Sequence, residues 1–147
     1  EEPAYDLILL DLEVNEKGLG RIGTLMQSQT LADYAEIVKK QLNVPFVRVV
    51  GNLTKEVKKV AVLGGDGNKY IQSAKRAGAD VFVTGDLYFH VAQDAEAIGL
   101  AVIDPGHHVE QIMKIGVAEY MTKVCMQHKL AVEFIPSKIS TEPFQLI

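Results

Sequence analysis

A single cysteine, Cys125, stands among the 147 residues, which excludes an internal disulfide and any zinc site built from cysteine alone. Tryptophan is absent, and no apolar run approaches the ~20 residues of a membrane-spanning helix. The longest run, over residues 5–12, is broken by Asp6 and Asp11. Fifteen Lys+Arg against nineteen Asp+Glu leave a net charge of −4 with no basic block, so a sequence-independent grip on nucleic acid is disfavoured. Signal-peptide and lipidation motifs are missing, as are the GK[ST] of a phosphate loop and the GxGxxG of a dinucleotide fold. A lone thiol fits a reducing compartment, and the expectation is a cytoplasmic protein. The chain opens on Glu1-Glu2-Pro3 without a methionine, and a piece of a longer protein is the simpler reading.

What is present is globular. Hydrophobic residues make up 48% and charged residues 23%, a balance that excludes disorder. At this length folding buries roughly 68–70% of the unfolded surface. Residues 5–14 read as a buried strand, and the glycine-rich stretch 15–23 as a loop and a possible boundary. Thr30 is placed to cap a helix over residues 31–42, with Asp33 three positions on and Leu31, Tyr34, Ala35, Val38 and Leu42 at helical spacing. Residues 44–50 are strand-like, and Pro45 puts their start at an edge.

From residue 58 strand and helix alternate. Strands are expected at 59–63, 80–84, 100–103 and 131–135, and helices at 69–77, 88–98 and 107–127. Links of 2–5 residues between them argue an α/β sandwich, a largely parallel mixed sheet flanked by helices. No internal repeat is visible.

In open α/β sheets ligands bind beyond the carboxyl ends of the strands. Three loops there carry chemistry. Gly64, Gly65, Asp66 and Gly67 form a tight loop whose amides could meet an anion, or a turn that needs glycine at positive φ. Asp86 precedes a helix with His90 in its first turn; the pair could face one mouth, or Asp86 could be only a cap. The third loop, Asp104-Pro105-Gly106-His107-His108-Val109-Glu110, is the most specific. The positive end of a helix disfavours a protonated imidazole, and the neutral form is the one a metal needs. His107 and Glu110 are three apart and could hold one ion; a histidine with a carboxylate suits zinc, manganese or iron. His108 reads as structural, Asp104 as a turn or cap, His128 as solvated, and Cys125 carries no role.

The order Gly78-Ala79-Asp80, Val83-Thr84-Gly85-Asp86, Phe89-His90 and Asp104-Pro105-Gly106-His107 resembles the C-terminal half of the GTP cyclohydrolase 1 type 2 homologues, also called Nif-three-like proteins. The resemblance covers roughly residues 18–136. It implies one half of a two-half fold, residues 15–147, with residues 1–14 as the closing strand of an inserted middle domain. It implies two divalent metals in the cleft between halves, zinc foremost, with His107 and Glu110 as this half's ligands and Asp86 and His90 lining the cleft. Many members carry the glutamate four residues after the histidine, where this chain has Gln111. The resemblance further implies a homohexameric ring.

Three functions follow. A metal-dependent hydrolase of a nucleotide or related small molecule would use His107 and Glu110 for metal, His90 and Asp86 in catalysis, and the loop of Gly64, Gly65, Asp66 and Gly67 for a phosphate. A non-catalytic metal-handling or regulatory ring would bind metal without turnover. DNA threading through the ring is the third, and the −4 charge argues against it.

Overall fold

The structure, a computed structural model, describes residues 19–145. They fall into two compact units that part between Val109 and Glu110. The strand expected at residues 5–14, and the middle-domain boundary drawn there, lie outside the described residues.

The first unit is a five-stranded sheet. Its strands are β1 (Arg21–Thr30), β2 (Arg48–Val50), β3 (Glu56–Asp66), β4 (Val81–Gly85) and β5 (Ala101–Asp104), in the order β1-β3-β4-β5-β2. The centre is parallel: Val60, Ala61 and Val62 face Val81, Phe82 and Val83, which in turn face Ala101, Val102 and Ile103. The outer pairs β1–β3 and β2–β5 are antiparallel. The expected α/β architecture is therefore present, a mixed sheet with a parallel core.

Alternation along the strands divides the interior. Phe82 and Val102 join Ala61, Leu87, Leu100 and Ala95 on the face covered by α2 (Ile71–Arg76) and α3 (Phe89–Ala97). Val81, Val83, Ala101 and Ile103 join Leu31, Ala35 and Val38 of α1 (Leu31–Gln41) on the other. Every residue of β4 and β5 is buried, as strands covered on both faces must be. Thr30 caps α1 as its sequence demands: its hydroxyl oxygen accepts the Asp33 N–H at 3.1 Å and its O–H donates to the Asp33 carboxylate at 2.6 Å.

Several boundaries differ from expectation. The glycine-rich stretch ends early, because residues 21–24 are already paired with residues 59–62. The strand expected over 44–50 is only Arg48–Val50, since Pro45 has no N–H to give a ladder and pairing starts beyond it. Residues 64–66 belong to the end of β3 rather than to a loop. The helix expected at 69–77 is a 3-10 turn, Asn68–Tyr70, followed by the short α2.

The second unit contains α4 (Met113–Gln127), which follows a 3-10 segment, His107–Ile112, that crosses the boundary between units. Residues 131–135 form no strand: the Val132 N–H turns back to the Leu130 carbonyl at 3.2 Å, and no ladder partner exists among the described residues. No helix among the described residues is long and apolar enough to cross a membrane.

Candidate functional site

The three parallel strands end together, and their carboxyl ends carry the residues singled out by sequence. Asp86 follows β4 and His107 follows β5. The structure joins them: the Asp86 Oδ2 and His107 Nδ1 atoms are 2.6 Å apart. Both side chains are about half exposed, 46% and 53% respectively. An ionised carboxylate only accepts, so the contact places the imidazole proton on Nδ1 and makes Nε2 the basic nitrogen of the neutral ring. Asp86 is thus no helix cap; the capping position of α3 falls to Tyr88, which makes no side-chain cap bond.

Asp86 sits at φ +54°, a left-handed conformation that few residues other than glycine adopt. Asn68 holds it there. Asn68 is 8% exposed, and its side chain is fully used: Nδ2 donates to the Asp86 carbonyl at 2.8 Å and to the Asp66 carboxylate, while Oδ1 accepts the Tyr88 N–H at 2.9 Å. One amide therefore ties the end of β3 to the loop after β4. The Asp66 carboxylate also takes the Asn68 N–H and the Tyr88 hydroxyl. These donors, with Asn68 foremost, hold the Asp66 carboxyl below its usual pKa. The nearby Asp66 charge pushes the Tyr88 phenol upward, with Asp86 adding to it.

The glycines of this edge serve close approach. A Cβ on Gly67 would lie 2.3 Å from the Thr84 hydroxyl oxygen and 2.9 Å from the Phe82 ring, so only hydrogen fits against β4. Gly65, at φ +65°, is the position within residues 64–67 that requires positive φ. The Asn68 N–H is taken by Asp66 and the Tyr70 N–H by the Gly67 carbonyl. Both amides lie just past the Gly64–Gly67 stretch, whose tip carries the Asp66 carboxylate.

His90 lies exposed in the first turn of α3, its ring 3.2 Å from the Gln93 side-chain oxygen and edge-on to Phe89. Its described partners do not include Asp86 or His107. Glu110 is exposed and opens the second unit. Among the described residues no three His, Cys, Asp or Glu side chains gather as a metal-holding group. The donors that do meet, an imidazole and a carboxylate, are the set that zinc, manganese or iron accepts. Their 2.6 Å contact is that of a hydrogen bond, the arrangement in which a carboxylate orients a metal-binding imidazole through its other nitrogen.

Sequence reading missed the groups that hold this pair. Asn68, coming after a glycine, reads as turn in the sequence. Arg48 interrupts the apolar run around residues 47–50, and a single arginine in a strand-like stretch is the signal for a paired carboxylate. Its partner is Asp104, only 1% exposed, which accepts from Arg48 through Nε at 3.1 Å and through Nη2.

Comparison with known proteins identifies the family. Residues 5–143 match the Duf34/NIF3 (NGG1p interacting factor 3) family. A GTP cyclohydrolase 1 type 2 homolog of Bacillus subtilis (strain 168) is 54% identical over 147 residues, all of this chain and 39% of that protein. Its namesake in Listeria innocua serovar 6a is 43% identical over 145 residues, 99% of this chain and 39% of that protein. The crystal structure of a Bacillus cereus protein related to NIF3 superposes with a TM-score of 0.83 at 52% identity, covering 88% of this chain and 36% of that one. This chain spans about two-fifths of the length of the curated relatives it matches. With the match running through sheet, paired loops and α4 alike, the chain belongs to the Duf34/NIF3 family.

Proposed function

We propose that the Asp86–His107 pair is part of a divalent-metal site, and that the complete protein is a metal-dependent hydrolase of a nucleotide or related small molecule. The observation that carries this reading is the 2.6 Å contact between Asp86 Oδ2 and His107 Nδ1 at the carboxyl edge of a parallel sheet. In this reading His107 binds metal and Asp86 fixes its ring. Glu110, three positions on in the sequence, is the second ligand on the strength of the family resemblance alone. The remaining ligands, and the second of two metals, belong to the part of the protein that this chain does not cover. A bound divalent ion supplies Lewis-acid activation of water at neutral pH.

His90, exposed beside the loop of Asp86, is the proposed proton carrier. The Gly64–Gly67 stretch, at the end of β3, is the proposed contact for a phosphate of the substrate. A homohexameric ring belongs to the same reading on resemblance alone, and sedimentation of the complete protein tests it.

Calorimetric titration of the 147-residue chain with zinc and with manganese, beside His107→Ala, is the test of the site. Binding that disappears in the variant is expected. Equal binding by both chains would remove His107 from the site. In the complete protein, metal-dependent nucleotide turnover abolished by His107→Ala is expected. Metal binding without turnover would favour the non-catalytic, metal-handling alternative.

A further inference from the structure

Asp104 makes no contact with the Asp86 or His107 side chains among its described hydrogen bonds, yet it touches the backbone next to both. One of its oxygens, Oδ2, accepts the N–H of Leu87, the residue after Asp86, at 3.0 Å. The other, Oδ1, accepts the N–H of Gly106, the residue before His107, at 2.8 Å. Arg48 completes the clamp from β2. Its guanidinium donates to Asp104 Oδ2 and, through Nη2, to the Leu87 carbonyl at 3.0 Å. A carboxylate that is 1% exposed is expensive to bury, and four donors from three different segments offset that penalty. The loops it joins also meet directly. A Cβ on Gly85 would fall 2.9 Å from the Gly106 carbonyl oxygen and 3.1 Å from the His107 nitrogen, so the backbones are already in contact.

We infer that Asp104, held by Arg48, is the positioning residue of the Asp86–His107 pair: one buried carboxylate, bonded by one oxygen to each loop, sets the separation at which the imidazole meets Asp86. The chemistry requires a carboxylate in particular. Asparagine has the same shape but a single acceptor oxygen, so it can keep the amide of one loop and must turn an NH2 group toward the other. The role therefore differs from plain stabilisation of the core, since Asp104→Asn releases one loop from the other without changing side-chain volume. That the pair holds metal rests on the function proposed above; that Asp104 positions the pair does not.

The test uses the 147-residue chain, freed of metal by chelation, with histidine ring nitrogens observed by long-range nitrogen–proton NMR at a pH where the imidazole is neutral. Wild type is expected to hold His107 as the Nδ1–H tautomer, bonded to Asp86. Asp104→Asn is expected to weaken that preference and raise the share of the Nε2–H tautomer. Arg48→Met, on a largely exposed side chain, is expected to move the ring in the same direction and keeps the test alive if Asp104→Asn does not fold. Zinc titrated into the same proteins should bind about 10–100-fold more weakly in the variants, the usual effect of losing a group that orients a ligand. An unchanged tautomer in the folded variants, or a wild-type ring protonated on Nε2, would overturn the assignment. A tautomer shift with no zinc binding in any chain would leave Asp104 as the positioning residue and count against this half holding metal by itself.

Discussion

The contact between the loops after β4 and β5 makes Gly85→Ala a direct steric test of this edge. The added methyl would sit 2.9 Å from the Gly106 carbonyl oxygen, 3.0 Å from its carbonyl carbon and 3.1 Å from the His107 nitrogen. Ordinary van der Waals contact begins near 3.4 Å, so the three atoms must retreat by up to 0.5 Å. All three are backbone, and their neighbours are tied: the Gly106 N–H is bonded to Asp104 and the His107 ring to Asp86. Relief therefore requires moving a strand end rather than swinging a side chain. Overpacking of this kind costs about 1–3 kcal/mol. With a urea slope of about 1–3 kcal/mol per molar, the midpoint of the first unit's transition should fall by roughly 1 M. Gly116→Ala in α4 is the matching control, because a Cβ there meets nothing within 4 Å. In a helix interior that change should stabilise by about 0.5–1 kcal/mol. Urea unfolding of both variants, followed by circular dichroism, reads the contrast. A Gly85→Ala protein within about 0.5 kcal/mol of wild type would refute the steric argument.

Thr30→Ala removes the acceptor for the Asp33 N–H and should lower stability by about 1 kcal/mol in the same urea assay, with Thr30→Ser largely retaining it. Leu31→Ala empties a fully buried site beneath α1 and should cost about 2–5 kcal/mol by thermal or urea unfolding. Asp66 has a lowered folded pKa, so its contribution is present above the ordinary carboxylate pKa and is lost as pH falls through the lowered value. Urea midpoints measured down the acid limb should therefore fall less steeply in Asp66→Asn than in wild type. The same substitution removes the main charge raising the Tyr88 phenol, so ultraviolet titration of tyrosinate should show one group moving to lower pH.

The legible parts of this protein are those whose signal is local. The cap of Thr30 and the apolar spacing of Leu31, Ala35 and Val38 place α1 within a residue of its observed end. The apolar runs of β4 and β5, buried on both faces, needed only their short links to be read as parallel neighbours. Residues 131–135 have the alternation of a strand and form none, because pattern supplies a face but not a pairing partner. The site divides the same way. Asp86 and His107 stand out by their place at strand ends, and the structure brings them to 2.6 Å. His90 stands four residues after Asp86 in the sequence, while its described contacts are Gln93 and Phe89. Arg48 and Asn68 act through partners far along the chain, 56 residues to Asp104 and 18 to Asp86, and no local pattern says which residue the partner is.

That long span between Arg48 and Asp104 also orders events in time. Val81 and Ala101, which are neighbours in the parallel centre, are 20 residues apart in the chain. Closing the 56-residue loop to the antiparallel strand β2 costs about 0.9 kcal/mol more in chain entropy than closing one of 20. The hydrophobic sheet can form before the guanidinium arrives, and a folding chain would pass through a stage with its core built and its clamp open. Opening runs in the reverse order. In native-state hydrogen exchange the amides of β2, a strand that pairs with β5 alone, should trade protons at lower free energy than those of β4, which is paired on both sides.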